Sequence, residues 1–157
     1  MSVFVRSSLN KALDLLYGKG DAETAYKKLQ ELYNKFPQNE ELLTSYLASS
    51  VKVNPEEARC IIQKNLADVE GIHLASIDLD LQNKDLISAD ARIQTALNLW
   101  PDSLLINCRK IMCLKAMSDE LQEPDLLEQA TEILVSMPEP KNKLESSFLH
   151  KVQCEIY

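Results

Sequence analysis

The residues that could carry out catalysis are few in this sequence, and they lack suitable partners. His73 and His150 are the two histidines, and neither has a recognisable acid or nucleophile placed to work with it. Asp78 and Asp80 lie two residues apart, so on a helix their carboxylates point in different directions. The sequence therefore predicts that the protein is not an enzyme.

Metal and phosphate sites are also disfavoured by the residue spacing. Gly18-Lys19-Gly20 is too short for a phosphate-binding loop and lacks its serine or threonine. Four cysteines lie in apolar segments, without the short spacings that hold zinc or iron, at Cys60, Cys108, Cys113 and Cys154. We expect no metal and no cofactor, and four buried, reduced thiols of the kind found in a reducing compartment.

Composition favours a protein ligand over a nucleic acid or a membrane. The net charge of -7 gives an anionic surface, which gains nothing from the counterions that a nucleic acid releases. The most basic stretch, Lys27, Lys28 and Lys35, is interleaved with Glu23 and Glu31 and is interpreted as a solvated helix face. Because no apolar run is long enough to span a membrane and no secretory signal opens the sequence, we expect a cytoplasmic protein, with the nucleus as the alternative.

The elements that must position any site are predicted to be paired helices. Only three glycines and six prolines interrupt the 157 residues, which suits helices with short joints. A small residue followed by apolar residues and a closing proline recurs, with the same separation from Ala25 to Pro37 as from Ala89 to Pro101. We expect one domain over 1–157, with helix pairs at about 2–37, 38–69, 70–101 and 102–138 and a final helix at 140–157.

Apolar stripes indicate which helix faces meet the core. The first helix is expected to use Phe4, Leu9, Leu13 and Leu16. The segment 104–117 is apolar nearly all round, so it should lie between neighbouring helices. The segment 72–81 alternates apolar and polar residues as a strand does, but a lone strand would have no partner for its backbone hydrogen bonds. We therefore predict a helix there, where the repeat requires one.

At Gly20, Ala25, Leu32 and Pro37, and again at Ala89, Ala96 and Pro101, the chain resembles the tetratricopeptide repeat family. The resemblance spans nearly the whole chain, although the tryptophan and the leucine-glycine pair of the family's first helix are missing, and related α-solenoid repeats remain open. It implies an all-α fold, a right-handed α-solenoid of about four helix pairs plus a C-terminal helix. Ala25, Ala58 and Ala89 would lie where two helices cross.

The resemblance also implies a partner-binding groove lined by the first helix of each pair. The residues expected to line it are Asn10, Asp14, Tyr17, Thr44, Ala48, Asp78, Met112 and Lys115. A stripe on the final helix that includes Phe148 and Val152 is expected to be a capping surface, a docking edge or the cut edge of a longer array. Because Asp14 and Asp78 would repel a terminal carboxylate, an extended basic or apolar segment is the better-matched ligand.

These observations predict a protein-protein interaction module. It would be an adaptor or scaffold subunit of an intracellular complex, with vesicle coats and protein-targeting particles as fitting examples. The partner, an extended peptide segment or a helical subunit, would bind in the concave groove, at the C-terminal edge or at both. The alternative is a self-associating structural protein, for example a homodimer formed through the C-terminal helix.

Overall fold

The computed structural model describes residues 1–65 and 67–157, and all of the regular structure in this part of the chain is helical. The prediction of an all-α protein is confirmed for these residues, including the strand-like segment, which is helical. The helices are α1 (Val3–Leu13), which continues into a π-helical turn (Asp14–Gly18), α2 (Ala22–Lys35), α3 (Glu40–Val53), α4 (Pro55–Lys64), α5 (Glu70–Gln82), α6 (Leu86–Leu99), α7 (Leu104–Leu121), α8 (Pro124–Val135) and α9 (Lys143–Ile156).

Local capping chemistry explains where most of these helices begin. The side chain of the residue just before each of these helices accepts a hydrogen bond from the backbone N–H three residues later. This bond satisfies one of the free donors of the first helical turn. Pro55 and Pro124 each occupy the first turn of a helix, where no backbone donor is needed. The capping side chains are Ser2, Asp21, Asn39, Asn54, Asp85, Ser103 and Asn142.

The chain divides into two compact units, Met1–Ser76 and Ile77–Tyr157. The boundary falls within α5, so its first turns belong to the first unit and its last turns to the second. No helix among the described residues is both long and apolar enough to cross a membrane.

The first unit is built on α2 and α3, which pack against each other, with α1 against α2 and α4 against α3. Leu9, Leu13 and Leu16 of the α1 region are buried as predicted, but Phe4 is 86% exposed. The prediction for Phe4 is wrong because Phe4 lies five positions before Leu9 in the sequence. At about 100° per residue, that spacing turns its side chain well away from the buried stripe.

The second unit is centred on α7, which packs against α6, α8 and α9. Its buried residues lie on several sides of the helix, among them Ile106, Cys108, Ile111 and Cys113. The prediction that this segment lies between neighbouring helices is therefore confirmed. Small residues are among the most deeply buried in both units, and the completely buried alanines include Ala25, Ala58, Ala89, Ala96 and Ala130.

Candidate functional site

The predicted groove residues of the first unit lie on α1, the π-helical turn and α3. We call Asn10, Asp14, Tyr17, Thr44 and Ala48 the first-helix face. In the π-helical turn the backbone is widened, and the N–H of Lys19 donates to the carbonyl oxygen of Asp14 at 2.9 Å. Asn10 and Tyr17 are half-buried and Asp14 is exposed.

Tyr17 is brought beside Lys52, which lies in the last turn of α3. The Lys52 ammonium is 5.7 Å from the centre of the Tyr17 ring, a distance at which the cation is attracted by the negative face of the ring. The pairing places the end of the α1 region next to the end of α3. Lys52 was not among the predicted site residues, because nothing in the sequence indicates which lysine approaches Tyr17.

Asn10 contains a buried polar atom without a partner. Its side-chain oxygen Oδ1 is shielded from water and accepts no hydrogen bond from a described residue. An amide oxygen in that position has lost its contact with water without gaining a donor, which costs free energy. Because the atom is closed off from water, this cost lies within the unit and does not by itself indicate a ligand.

Thr44 is less open than the sequence indicates, because Gly71 at the start of α5 lies directly against it. A Cβ atom placed on Gly71 would be 2.4 Å from the Thr44 hydroxyl oxygen and 3.2 Å from its Cα. The Thr44 hydroxyl donates to the carbonyl oxygen of Glu40 at 2.8 Å. Thr44 therefore lies at a close approach of α3 and α5, and Ala48, one turn further on, stays half-buried.

In the second unit, Asp78 is engaged by Arg109 of α7. The Nε and Nη2 atoms of Arg109 donate to the two Asp78 carboxylate oxygens, each at 2.9 Å. Asp78 therefore has a counter-charge, which reduces the repulsion of a terminal carboxylate that was expected of it. Met112 and Lys115 are half-buried on α7, and Lys115 lies 3.5 Å from the Asp119 carboxylate.

Phe148 and Val152 of α9 face the interior of the second unit. They are 4% and 0% exposed, because α9 packs on α7 and the Phe148 ring lies 3.7 Å from the guanidinium of Arg109. The expectation that these two side chains form an open docking edge, or a homodimer surface, is corrected by this burial. Binding through other residues of α9 stays a prediction.

Sequence reasoning did not identify Arg109, the residue that binds Asp78 and lies against the Phe148 ring. Arg109 is 2% exposed and lies in a helix that is otherwise largely apolar around its buried sides. A charged residue within such a helix needs a buried partner, because an unpaired charge away from water is very costly. That requirement was the available signal, and Asp78 is the residue that satisfies it.

A second polar cluster joins α2, α3 and α4 in the first unit. The Glu57 carboxylate accepts hydrogen bonds from the hydroxyl groups of Tyr26 and Tyr46 and from the amides of Gln30 and Asn54. Burial alone would raise the pKa of Glu57, but these donors together hold the pKa below its ordinary value of 4.5. A carboxylate that is ionised and already fully hydrogen-bonded is poorly suited to act as a general acid or base.

The aromatic rings of the same cluster are stacked. Tyr46 lies with its ring centre 5.7 Å from Tyr26 and 5.2 Å from Tyr33. Burial, together with the hydrogen bond to Glu57, raises the pKa of Tyr46 above its ordinary value of 10.0. These contacts are typical of a packed interior that is held by a few polar bonds.

The cysteines are placed in two environments. Cys108 and Cys113 are buried, as predicted. Cys60 and Cys154 are exposed, so the prediction that all four thiols are buried is wrong for these two. Cys154 lies one helical turn from His150, with 3.7 Å between its sulfur and Nε2. No group of three or more potential metal ligands occurs among residues 1–65 and 67–157. The Cys154-His150 pair supplies two ligands, fewer than the three or four that protein metal sites use.

No protein-family model, no curated protein and no solved structure matches this chain. The resemblance to the tetratricopeptide repeat family therefore stays a prediction from the repeated residues. The candidate site must be judged on its own geometry.

Proposed function

We propose that this chain is a protein-protein interaction module, an adaptor or scaffold subunit of an intracellular multiprotein complex. Its partner site is the first-helix face, and its ligand is an extended segment of another protein. The observation that carries the proposal is the half-buried ring of Tyr17, which lies 5.7 Å from the Lys52 ammonium. An extended segment would pack its own side chains against this ring and exclude water from it.

Tyr17 and the π-helical turn support the same site. Tyr17 offers a half-buried aromatic surface beside the Lys52 ammonium, and aromatic side chains at the margin of a polar surface are common anchors in interfaces. Single π-helical turns also occur frequently at functional sites. Tyr17 lies within the π-helical turn that continues α1.

The fully hydrogen-bonded Glu57 carboxylate and the incomplete Cys154-His150 pair favour binding over catalysis. Neither arrangement holds a poised base or a third ligand. A site made of an aromatic ring and a lysine is better suited to holding a peptide than to transforming a substrate.

We also propose that the fold is a right-handed α-solenoid of tetratricopeptide-like helix pairs. The pairs would lie at about 2–37, 38–69, 70–101 and 102–138, with a final helix at 140–157. The complete burial of Ala25, Ala58 and Ala89 supports it, since closely crossing helices need small residues at their contact. We propose the cytoplasm as its compartment, and a vesicle coat or protein-targeting particle as the type of assembly.

Site-specific cross-linking tests the proposed face. A photoreactive amino acid replaces Tyr17 in one sample and Thr95, an exposed residue of α6, in another, and both chains are used to capture proteins from a cytoplasmic extract. We expect a protein that cross-links from position 17 and not from position 95. Mass spectrometry of the cross-linked peptide should then identify one extended segment of that partner.

Matched substitutions provide the second readout. Tyr17→Glu should remove the cross-linked partner from affinity capture, whereas Thr95→Glu, which adds the same charge, should retain it. Equal capture by both variants, or a partner that cross-links only away from the first-helix face, would contradict this site. Melting temperatures of both variants control for loss of fold.

A further inference from the structure

A basic surface lies on α1 and α2 of the first unit. Lys11, Lys28 and Lys35 line one depression between these helices, together with Ser8, Glu31 and Leu32. Lys35 also lines a neighbouring depression with Met1, Phe36 and Pro37, so charged and apolar surface adjoin there. We call Lys11, Lys28, Lys35 and Phe36 the lysine face. The three lysines form no ion pair with a described residue.

A surface of opposite charge lies on α8 of the second unit. Asp125, Glu128 and Glu132 are exposed on one side of this helix and form no ion pair with a described residue. Between Lys115 and Lys141 the sequence has no lysine or arginine, so no basic side chain of this segment offsets them.

One apolar side chain adjoins these carboxylates. Val135 lies seven residues, or two helical turns, after Glu128 on the same side of α8 and is 76% exposed. Covering Val135 would remove its apolar surface from water, which is favourable. We call Asp125, Glu128, Glu132 and Val135 the acidic face.

The two faces match in spacing as well as in charge. Lys28 and Lys35 lie seven residues apart on α2, and Asp125 and Glu132 lie seven residues apart on α8. Each pair therefore spans two helical turns, about 10 Å along its helix axis. Two such helices laid side by side can form two ion pairs at once, with Phe36 at the end of one helix and Val135 of the other available for apolar contact.

We propose that the lysine face of one copy of this chain docks on the acidic face of a second copy. The contact is heterologous, since two different surfaces meet, and each pair of copies leaves one lysine face and one acidic face free. Copies would therefore add head to tail. This proposal goes beyond the proposed function and uses none of the residues of the first-helix face.

Salt dependence follows from the exposure of the charges. Surface ion pairs are individually weak and are screened by salt, so the association should be visible at low salt and millimolar to micromolar protein, and should weaken as salt is added. An apolar contact alone would show the opposite trend or none.

Sedimentation equilibrium of the full chain tests the proposal. At low salt the average mass should rise with concentration and continue past that of a dimer. The variant Lys28→Glu with Lys35→Glu makes both pairing positions of the lysine face acidic, and the variant Asp125→Lys with Glu132→Lys makes both pairing positions of the acidic face basic. Each alone should associate about tenfold more weakly or not at all, because attraction becomes repulsion. Mixing the two variants, or combining all four substitutions in one chain, should restore association.

A control separates this contact from a general effect of net charge. Lys64→Glu with Lys141→Glu makes the same change of charge at exposed lysines outside both faces and should leave association unchanged. Melting temperatures establish that each variant is folded. Tyr17→Glu should also leave association unchanged, so that failure of the proposed function and failure of this proposal can be told apart.

Three results would overturn the proposal. The parent chain could stay monomeric at every concentration in low salt. The two charge-reversed variants could each associate as strongly as the parent chain, or the mixture of the two variants could fail to associate. A parent chain that stays monomeric but binds a lysine-rich synthetic helix through α8 would assign the acidic face to a different protein and exclude the second copy as its occupant.

Discussion

Arg109 and Asp78 form a two-pronged ion pair whose other side is covered by an aromatic ring. Both hydrogen bonds between them measure 2.9 Å, and the guanidinium lies 3.7 Å from the centre of the Phe148 ring. Arg109 comes from α7, Asp78 from the second-unit part of α5 and Phe148 from α9. Three helices that are distant in sequence thus meet at one buried cation, which fixes their relative rotation within the unit.

The first prediction concerns the removal of Asp78. Asp78→Leu should lower the free energy of unfolding by about 3 kcal/mol, because it leaves the Arg109 charge buried without its counter-charge. The double variant Asp78→Leu with Arg109→Met should be more stable than Asp78→Leu alone, since it removes both charges. Urea unfolding of the three chains measures the difference.

The exposed pair in the same unit is the control. Arg92 and Asp80 lie 2.6 Å apart with the Arg92 side chain 54% exposed, so Arg92→Met should cost less than about 1 kcal/mol. An equal loss of unfolding free energy for Arg92→Met and Asp78→Leu would show that burial does not increase the cost of breaking the Arg109-Asp78 pair.

The second prediction concerns the close approach of α3 and α5. Gly71→Ala should destabilise the first unit by about 1–3 kcal/mol, since the new methyl group would clash with Thr44 and force the helices apart. Thr44→Ala should recover part of the loss by removing the nearest atom. Gly18→Ala is the matched control, because nothing lies within 4 Å of its Cβ position. Thermal unfolding distinguishes the variants, and equal melting temperatures for both glycine substitutions would disprove the close contact.

The third prediction is a dependence of stability on pH through Glu57. Its pKa is lower in the folded chain than its ordinary value of 4.5. The stability that it contributes is therefore fully present above about pH 4.5 and is lost as the pH falls through the folded-state pKa. Glu57→Gln should cost about 1–2 kcal/mol at neutral pH, where charged hydrogen bonds are lost at a partly exposed site, and should flatten the acid dependence.

Glu56→Gln is the control for that measurement. The Glu56 side chain is 82% exposed and pairs only with Arg59 of its own helix among the described contacts. We expect its unfolding free energy and its acid dependence to follow those of the parent chain. Identical pH profiles for the parent chain and Glu57→Gln would instead indicate that the tyrosine-carboxylate cluster has no energetic role.

The fourth prediction concerns thiol reactivity. Burial raises the pKa of Cys108 to about 12 and that of Cys113 to about 11, so neither is ionised near neutral pH. Cys60 and Cys154 are exposed. A thiol reagent at pH 8 should therefore modify two cysteines rapidly and the other two about a hundredfold more slowly, through opening of the fold. Mass spectrometry identifies the modified residues, and four equally fast reactions would contradict the burial of α7.

The sequence by itself was enough for the positions of the helices, because the signals for them are local. Asp21, Asn54 and Asp85 cap the amides that immediately follow them, and Pro55 occupies a first turn where no donor is lost. The small residues were also recognisable, since Ala25, Ala58 and Ala89 recur in the repeat and are all buried. Even the strand-like segment could be assigned to a helix, because a strand there would have had no partner.

The tertiary structure decided which faces of those helices remain open. Phe4 was predicted to be inside and is exposed, whereas Phe148 was a candidate partner-binding residue and lies buried against Arg109. Burial of one helix face depends on helices far away along the chain, such as the one that brings Arg109 to Asp78 across 31 residues. Helical periodicity identifies the apolar side of each helix, but only packing determines which polar residue meets another. For that reason the sequence could suggest Tyr17 and Asn10 as site residues, while the neighbours that define the site, Lys52 and Gly71, came from the fold.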